Sequence, residues 1–275
     1  MEKNFVQLVI QYINPGDAEI IIAFLSEEGY IGFEEKDESN ALLAFIDDKQ
    51  YDENKIKKLS SQFNFEWQTS IIPKMNWNKE WESNFHPILI NDYCGIRADF
   101  HEPLTNVKHE IIITPKMSFG TGHHATTYMM IESIYALNVK NKTVFDFGTG
   151  TGILAILAEK EGASEILAMD HDEWSVLNAG ENILLNNAKH ITVVQNDNPE
   201  CEKQFDIILA NINKHIIIEN FPVLASQLNP GGIVICSGFM KQDVYDINEV
   251  ASKCNLVLLK TIERENWVCS VFRLS

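Results

Sequence analysis

The stretch Val144-Phe145-Asp146-Phe147-Gly148-Thr149-Gly150-Thr151-Gly152-Ile153 decides the fold of this 275-residue chain. Its first residues are typical of a buried strand, its glycines of a turn, and the apolar run that starts at Ile153 of a helix. A strand, a glycine-rich turn and a helix in this order build nucleotide-type cofactor sites, since glycine lets the backbone approach a ligand without a Cβ clash. The sequence therefore predicts a cofactor at this turn.

The glycine spacing excludes the usual dinucleotide fingerprint. That pattern requires a glycine five residues after its first glycine. Counted from Gly148 the residue is Ile153, and counted from Gly150 it is Ala155. A pyrophosphate is therefore not the expected ligand group at the start of this helix.

Two carboxylates near the turn indicate another ligand. Asp146 lies two residues before Gly148 and suits a ligand that carries a positive amino group. Asp170 ends the next predicted strand, where a carboxylate accepts hydrogen bonds from both hydroxyls of a ribose. A cationic ligand with an adenosine part and an amino group describes S-adenosylmethionine.

Outward from the turn, apolar strand patterns alternate with helical patterns. The predicted strands are 144–147, 165–170, 191–195, 205–210 and 231–237, and the predicted helices are 153–161, 173–186, 214–228 and 243–253. Apolar strands joined by helices are typical of a parallel sheet covered on both faces. The last two predicted strands are 256–262 and 267–274. The link between them is too short for the crossover that parallel strands need, so they must form an antiparallel hairpin. The fold class is α/β, with a doubly wound, mostly parallel Rossmann-like sheet that ends in this hairpin.

The N-terminal part of the chain has a different pattern. Its predicted elements run strand, helix, strand, strand, helix, strand, which is the order of a small ferredoxin-like α+β module. An aromatic-rich stretch separates this module from the α/β pattern. The predicted domains are therefore an α+β domain at 1–72, a linker at 73–105 and the α/β domain at 106–275.

The composition narrows the classes of partner. Lys and Arg number 22 against 39 Asp and Glu, a net charge of −17, whereas proteins that bind free nucleic acid carry a basic surface. This acidic chain is therefore expected to repel free nucleic acid and to attract basic proteins. The five scattered cysteines form no C-x-x-C pair, so neither a disulfide framework nor a metal site is predicted. With no signal peptide and no membrane-length apolar run, we expect a cytoplasmic monomer without membrane contact.

Three further segments resemble one known family. The loop Met117-Ser118-Phe119-Gly120-Thr121-Gly122-His123-His124-Ala125-Thr126-Thr127 resembles its A-F-G-T-G-x-H-x-T-T loop. Leu209-Ala210-Asn211-Ile212 resembles its A-N-I/L segment, and Trp77-Asn78-Lys79-Glu80-Trp81 with Phe85-His86-Pro87 is similar to its linker. From about residue 75 onward the chain thus resembles the PrmA family of class I S-adenosylmethionine-dependent methyltransferases, which methylate protein eleven of the large ribosomal subunit.

The resemblance implies an activity and a set of site residues. The activity is transfer of methyl groups from S-adenosylmethionine to lysine or N-terminal amines of a basic ribosomal protein, which the N-terminal domain would recognise. The family's cofactor contacts, with the acid and a second glycine of the turn, give the predicted cofactor-binding residues Thr127, Gly148, Asp170, Asn211, Asp146 and Gly150. We expect Asn211 also to be the catalytic residue, accepting a hydrogen bond from the incoming amine. Where the family has I-D-P after the ribose-binding Asp, this chain has His171-Asp172-Glu173, which leaves the start of the next helix open.

Other interpretations remain open at this point. The same cofactor would also serve a methyltransferase that acts on another protein or on a small amine. A third possibility is a nucleotide-binding dehydrogenase or a non-catalytic cofactor-binding module. Of these two, the dehydrogenase is disfavoured by Ile153, which stands where the last fingerprint glycine belongs. His123 and His124 invite a catalytic role, but we expect a histidine here to cap or pack the following helix. Asp197 is either a contact to the adenine amino group or a solvated loop residue.

Overall fold

The structure is a computed structural model, and it describes residues 4–11, 17–36, 41–73, 85–114 and 120–275. The chain forms two compact units, residues 1–84 and 85–275. Trp77 and Trp81 of the linker motif and residues 117–119 of the loop motif lie outside the described residues.

The smaller unit contains one antiparallel sheet and two helices. Its elements are β1 (Asn4–Gln11), α1 (Asp17–Glu27), β2 (Gly32–Lys36), β3 (Ala41–Asp47), α2 (Glu53–Phe63) and β4 (Glu66–Pro73). The sheet order is β2-β3-β1-β4, and all neighbouring strands are antiparallel. Leu8 and Ile10 alternate with half-buried positions along β1, are fully buried, and belong to the same hydrophobic core as Leu25 of α1.

The larger unit opens with a small three-stranded sheet. β5 (Ile88–Ile90), β6 (Cys94–Ala98) and β7 (His109–Ile113) pair in that order. All five residues of β6 are buried, and among them the Arg97 side chain donates two hydrogen bonds to Glu110 at 2.7 and 3.2 Å. Residues 85–105, which the sequence predicts as part of a linker, group with the larger unit, and its core contains Phe85, Ile90, Tyr93, Cys94, Ile96 and Ala98.

A seven-stranded sheet forms the centre of the larger unit. The remaining elements are α3 (Ala125–Tyr135), β8 (Thr143–Phe147), α4 (Ile153–Lys160), β9 (Glu165–Asp170), α5 (Glu173–Leu185), β10 (Ile191–Gln195), β11 (Phe205–Asn211), α6 (Lys214–Ser226), β12 (Leu228–Met240), α7 (Val244–Lys253), β13 (Leu256–Arg264) and β14 (Trp267–Leu274). The sheet order is β10-β9-β8-β11-β12-β14-β13. In this sheet β14 runs antiparallel to the other six strands, which are parallel to one another, so the predicted mostly parallel sheet is confirmed.

Both faces of this sheet are buried. Along β8, Val144 belongs to one hydrophobic core and Phe145 to the other. The first six residues of α4 are all buried, which explains why its sequence is apolar on every side. The start of α5, left open by the sequence, is fixed by Asp172, whose carboxylate accepts a hydrogen bond from the Ser175 amide at 2.9 Å.

Within the described ranges, no helix is long and apolar enough to cross a membrane. In the same ranges, no group of three or more His, Cys, Asp or Glu is arranged to hold a metal ion.

Candidate functional site

The strand order reverses at β8, whose two neighbours β9 and β11 lead to opposite edges of the sheet. Ligands of open α/β sheets bind beyond the carboxyl ends of the strands at such a point. A cavity of about 650 Å³ opens there. Its walls are formed by His124, Thr126, Phe147, Gly148, Gly150, Asp170, His171, Asp172, Ser175, Asn196, Asp197, Asn211, Ile212, Asn213, Ile216, Glu219, Asn220, Gly238 and Trp267.

The glycine turn between β8 and α4 lines the cavity with backbone that carries no side chains. Gly148, Gly150 and Gly152 have φ values of 76°, 55° and 80°, in the left-handed region that favours glycine. A Cβ on Gly148 would lie 2.2 Å from Cγ2 of Ile212, so no side chain fits there. The sequence pattern G-x-G-x-G thus encodes both the backbone path and the close approach.

Asp170 at the end of β9 faces the same cavity. Its Oδ2 accepts a hydrogen bond from the Gly150 amide at 2.8 Å, and its Oδ1 accepts one from the Asp172 amide at 3.1 Å. These bonds fix the carboxylate, while each oxygen keeps a lone pair for a ligand hydroxyl. The predicted residues Gly148, Gly150 and Asp170 are therefore brought together at one wall of the cavity.

Asp146 has a different position from the one predicted. It is fully buried beneath the glycine turn and does not line the cavity. The Thr149 hydroxyl donates a hydrogen bond to its Oδ2 at 2.6 Å, while its buried Oδ1 has no hydrogen-bond partner among the described residues. Burial raises the pKa of this carboxyl from 3.8 to about 7. In this structure Asp146 supports the turn from below.

Asn211 at the end of β11 lines the cavity, and Thr127 lies behind it. The Asn211 Nδ2 donates a hydrogen bond to the Thr127 Oγ1 at 3.3 Å, and Thr127 is fully buried. The Asn211 Oδ1 is also buried and has no hydrogen-bond partner among the described residues. A buried acceptor without a partner costs about 1–3 kcal/mol, so a group that supplies an N–H to this oxygen would stabilise it.

The two histidines of the loop motif lie in different places. His124 caps α3 by accepting a hydrogen bond from the Thr126 amide at 3.3 Å, which confirms the capping role expected for one of them. It also contacts Trp267 edge-on, with ring centroids 4.8 Å apart, and both rings line the cavity. His123 packs edge-on against Phe85 at 4.7 Å, does not line the cavity, and has its pKa lowered by burial.

The cavity walls favour a cation. They contain four carboxylates and, among the described residues, neither lysine nor arginine. The carboxylates are those of Asp170, Asp172, Asp197 and Glu219. A cleft lined by one sign of charge concentrates ligands of the opposite sign.

The cavity has two sides, which flank the point where the strand order reverses. The β9 side consists of Gly148, Gly150, Asp170, Asn196 and Asp197, and the β11 side consists of His124, Asn211, Ile212, Gly238 and Trp267. Sequence reasoning missed Ile212, Gly238 and Trp267 as site residues. Their positions could have indicated them: Ile212 directly follows β11, Gly238 lies near the end of β12, and Trp267 begins the antiparallel β14. All three therefore lie at the end of the sheet where the parallel strands have their carboxyl ends.

The residues of both sides fit S-adenosylmethionine. Asp170 offers acceptors for two ribose hydroxyls, the carboxylate-rich walls suit a sulfonium and an ammonium group, and the bare turn admits the ligand. The seven-stranded order with its antiparallel β14, together with this site, defines a methyltransferase that uses S-adenosylmethionine.

The comparisons with known proteins identify the family. The sequence model of the family "Ribosomal protein L11 methyltransferase (PrmA)" matches residues 17–275. The chain is 37% identical to the ribosomal protein L11 methyltransferase of Phocaeicola vulgatus, over 92% of either chain. It is 39% identical to that of Porphyromonas gingivalis, over 92% of this chain and 90% of the relative.

A solved structure agrees with these relatives. The crystal structure of ribosomal protein L11 methylase from Lactobacillus delbrueckii subsp. bulgaricus matches with a TM-score of 0.64 at 30% identity. The match covers 68% of this chain and 98% of the solved chain. The chain belongs to the ribosomal protein L11 methyltransferase family.

Proposed function

We propose that this chain transfers methyl groups from S-adenosylmethionine to amino groups of ribosomal protein L11. The observation that carries the proposal is a cavity whose walls favour a cation and include Asn211, a residue whose buried Oδ1 has no hydrogen-bond partner among the described residues. The names of the relatives, ribosomal protein L11 methyltransferases, indicate the protein substrate. A ribosomal substrate also supports a reaction in the cytoplasm.

The β9 side would hold and orient the methyl donor. When bound, S-adenosylmethionine supplies a methyl group on a sulfur that is already an activated leaving group. Asp170 would accept hydrogen bonds from the ribose hydroxyls, and the turn at Gly148 and Gly150 would let the donor lie against the backbone. Fixing the donor in this way makes the transfer depend on the direction of the incoming nucleophile.

The β11 side would orient the acceptor amine. A lysine amine has a pKa of about 10.4 in water and must lose its proton before it can attack. Desolvation in the cavity and a neighbouring positive charge both lower that pKa. The Asn211 Oδ1 would accept a hydrogen bond from the neutral amine, and Thr127 would hold the Asn211 amide group from behind at 3.3 Å.

The N-terminal unit would recognise the protein substrate. Its sheet order β2-β3-β1-β4, with a helix in each of two crossover connections, supports a ferredoxin-like module. We assign this role to residues 1–72, and the catalytic domain includes all of 106–275. The net charge of −17 supports a basic partner.

Mass spectrometry tests the proposal directly. Purified ribosomal protein L11 is incubated with the enzyme and S-adenosylmethionine, and we expect mass increases of whole methyl groups on amines. An unmodified L11, in a reaction where another basic protein or a small amine is methylated, would contradict the assigned substrate. Removal of residues 1–72 should sharply reduce methylation of L11, and undiminished methylation would show that the recognition role is wrong.

A further inference from the structure

Ile212, the residue after Asn211, lies unusually close to β12. Its amide donates a hydrogen bond to the Ser237 carbonyl at 3.0 Å. A Cβ added to the next residue, Gly238, would lie 2.1 Å from the Ile212 carbonyl oxygen and 2.7 Å from its carbon. Real Cβ atoms do not approach backbone this closely, so the Ile212 peptide occupies the space that a side chain at position 238 would need.

Gly238 also lies at an irregularity of β12. The register with β14 shifts between Ser237 and Phe239, and Gly238 has a φ of 103°. The buried Ser237 hydroxyl donates a hydrogen bond to the Val268 carbonyl at 2.8 Å, which fastens the strand on one side of the shift. A bulge of this kind re-aims the chain next to an active site.

The Ile212 side chain is held from the opposite direction. Its Cγ2 fills the space above Gly148, where a Cβ would approach it to 2.2 Å. Ile212, Gly238 and Gly148 all line the cavity. Ile212 is therefore clasped between the bulge of β12 and the cofactor turn, and the neighbouring Asn211 is fixed relative to both.

We propose that Gly238 is a positioning residue for methyl transfer, because the space it leaves admits the Ile212 peptide and thereby sets the Asn211 amide at the cavity wall. This inference rests on the proposed role of Asn211. It assigns no contact with the substrate to Gly238. The bulge instead determines where the Asn211 amide lies relative to the glycine turn that would bind S-adenosylmethionine.

The test compares two glycines of the same strand. Gly238→Ala forces the Ile212 peptide to move, whereas Gly231→Ala, at φ 74° with nothing within 4 Å, also places an alanine at a positive φ but without a clash. Since small misplacements of reacting groups cost up to about 100-fold in rate, we expect a fall of about that size in the kcat of Gly238→Ala and a change of less than about threefold in Gly231→Ala. The Kd for S-adenosylhomocysteine, measured by calorimetry, should change by less than about threefold in both. A normal kcat in a folded Gly238→Ala, or a parallel loss of cofactor affinity, would overturn the proposal.

A second pair of variants covers the case in which Gly238→Ala does not fold. Ile212→Val keeps the Cγ2 that packs on Gly148, while Ile212→Ala removes it. We expect kcat to fall by about tenfold in Ile212→Ala and to recover in Ile212→Val, with KM for the protein substrate nearly constant. Equal kcat in the two variants would contradict the clasp.

The assay also separates this inference from the proposed function. Methylation of L11 by the wild-type chain, and its loss in Asn211→Ala, test the proposed function. Loss in Asn211→Ala with full activity in both Gly238→Ala and Ile212→Ala would leave that function standing and remove only the positioning role.

Discussion

The β9 side and the β11 side of the cavity are assembled in different ways. Every residue of the β9 side comes from the continuous segment 148–197, which contains the glycine turn and the ends of β9 and β10. The β11 side combines four separate segments: the start of α3, the end of β11, the bulge in β12 and the start of β14. The β9 side thus comes from one continuous segment, whereas the β11 side exists only once β11, β12 and β14 have paired in the sheet.

The two sides also differ in chemistry. The β9 side presents exposed backbone and the carboxylates of Asp170 and Asp197, which would bind the methyl donor through charge and hydrogen bonds. The β11 side presents an amide, a histidine and the indole of Trp267, which act through shape and directed hydrogen bonds. Groups that hold the donor contribute to its binding, whereas groups that direct the incoming amine matter in the transition state. We therefore expect changes on the β9 side to alter affinity, and changes on the β11 side to alter rate.

The largest effect is expected for the acid beneath the β9 side. Because burial raises the pKa of Asp146 to about 7, its contribution to stability is complete below pH 3.8 and is lost as the pH rises through 7. Between pH 5 and pH 8 the free energy of unfolding should fall by about 3 kcal/mol through this group. Asp146→Asn should remove that part of the slope in urea unfolding at several pH values. A variant that keeps the full slope would show that Asp146 does not titrate as described.

Asp170→Ala should weaken the binding of S-adenosylmethionine at the β9 side. Hydrogen bonds to a charged group contribute about 1.5–3 kcal/mol each, so loss of the carboxylate should raise the Kd for S-adenosylmethionine by about 100-fold. The matched change is Glu219→Ala, which removes the same charge from another part of the cavity wall. Calorimetry should show a few-fold effect at most for Glu219. Similar losses in the two variants would mean that charge alone, and not the fixed position of Asp170, holds the donor.

Asn211→Ala should slow methyl transfer by removing the amide of the β11 side. We expect kcat to fall by about 30-fold, because the incoming amine loses the acceptor that directs it. The effect on donor affinity should be smaller than that of Asp170→Ala. Asn213→Ala, an amide two residues further along the same wall, makes no hydrogen bond as a helix cap and serves as the comparison in the same assay. Near-normal turnover by Asn211→Ala would show that our assignment is wrong.

The smallest effect concerns the charge of the whole chain. Attraction between a chain at −17 and a basic protein is screened by salt, with a Debye length of about 10 Å at 0.1 M. We expect the KM for the protein substrate to rise by about threefold between 0.05 M and 0.3 M salt, while kcat changes little. Steady-state kinetics with L11 at several salt concentrations measures this. A constant KM would indicate that recognition rests on apolar contacts.

Much of the fold and of the β9 side could be predicted from the sequence. The glycine turn, Asp170 and the alternation of strands and helices depend on local patterns, and the structure has each of these elements within a few residues of its predicted bounds. The capping role of a loop histidine was also predicted, since His124 lies directly before the predicted helix and a cap contact is local in sequence.

The β11 side could not be predicted from such patterns. Gly238 has a role only because β12 and β14 pair with a shifted register, and Trp267 reaches the cavity only because β14 lies next to β12. The burial of Asp146 follows from the packing of α4 over the turn, which an acid at that position does not indicate by itself. Residues 85–105 contain short, irregular elements, and their membership in the larger unit depends on the pairing of β6 with β7.

The Arg97–Glu110 pair has a consequence for how this enzyme can be recombined. Glu110 accepts hydrogen bonds from Arg97 and from the Leu104 amide at 2.6 Å, so both partners precede residue 106. A gene fragment cut there would leave Glu110 without either of them, and this partly buried carboxylate would lose the hydrogen bonds that hold it. A domain exchange that moves the catalytic sheet into another protein therefore has to move residues 85–105 with it.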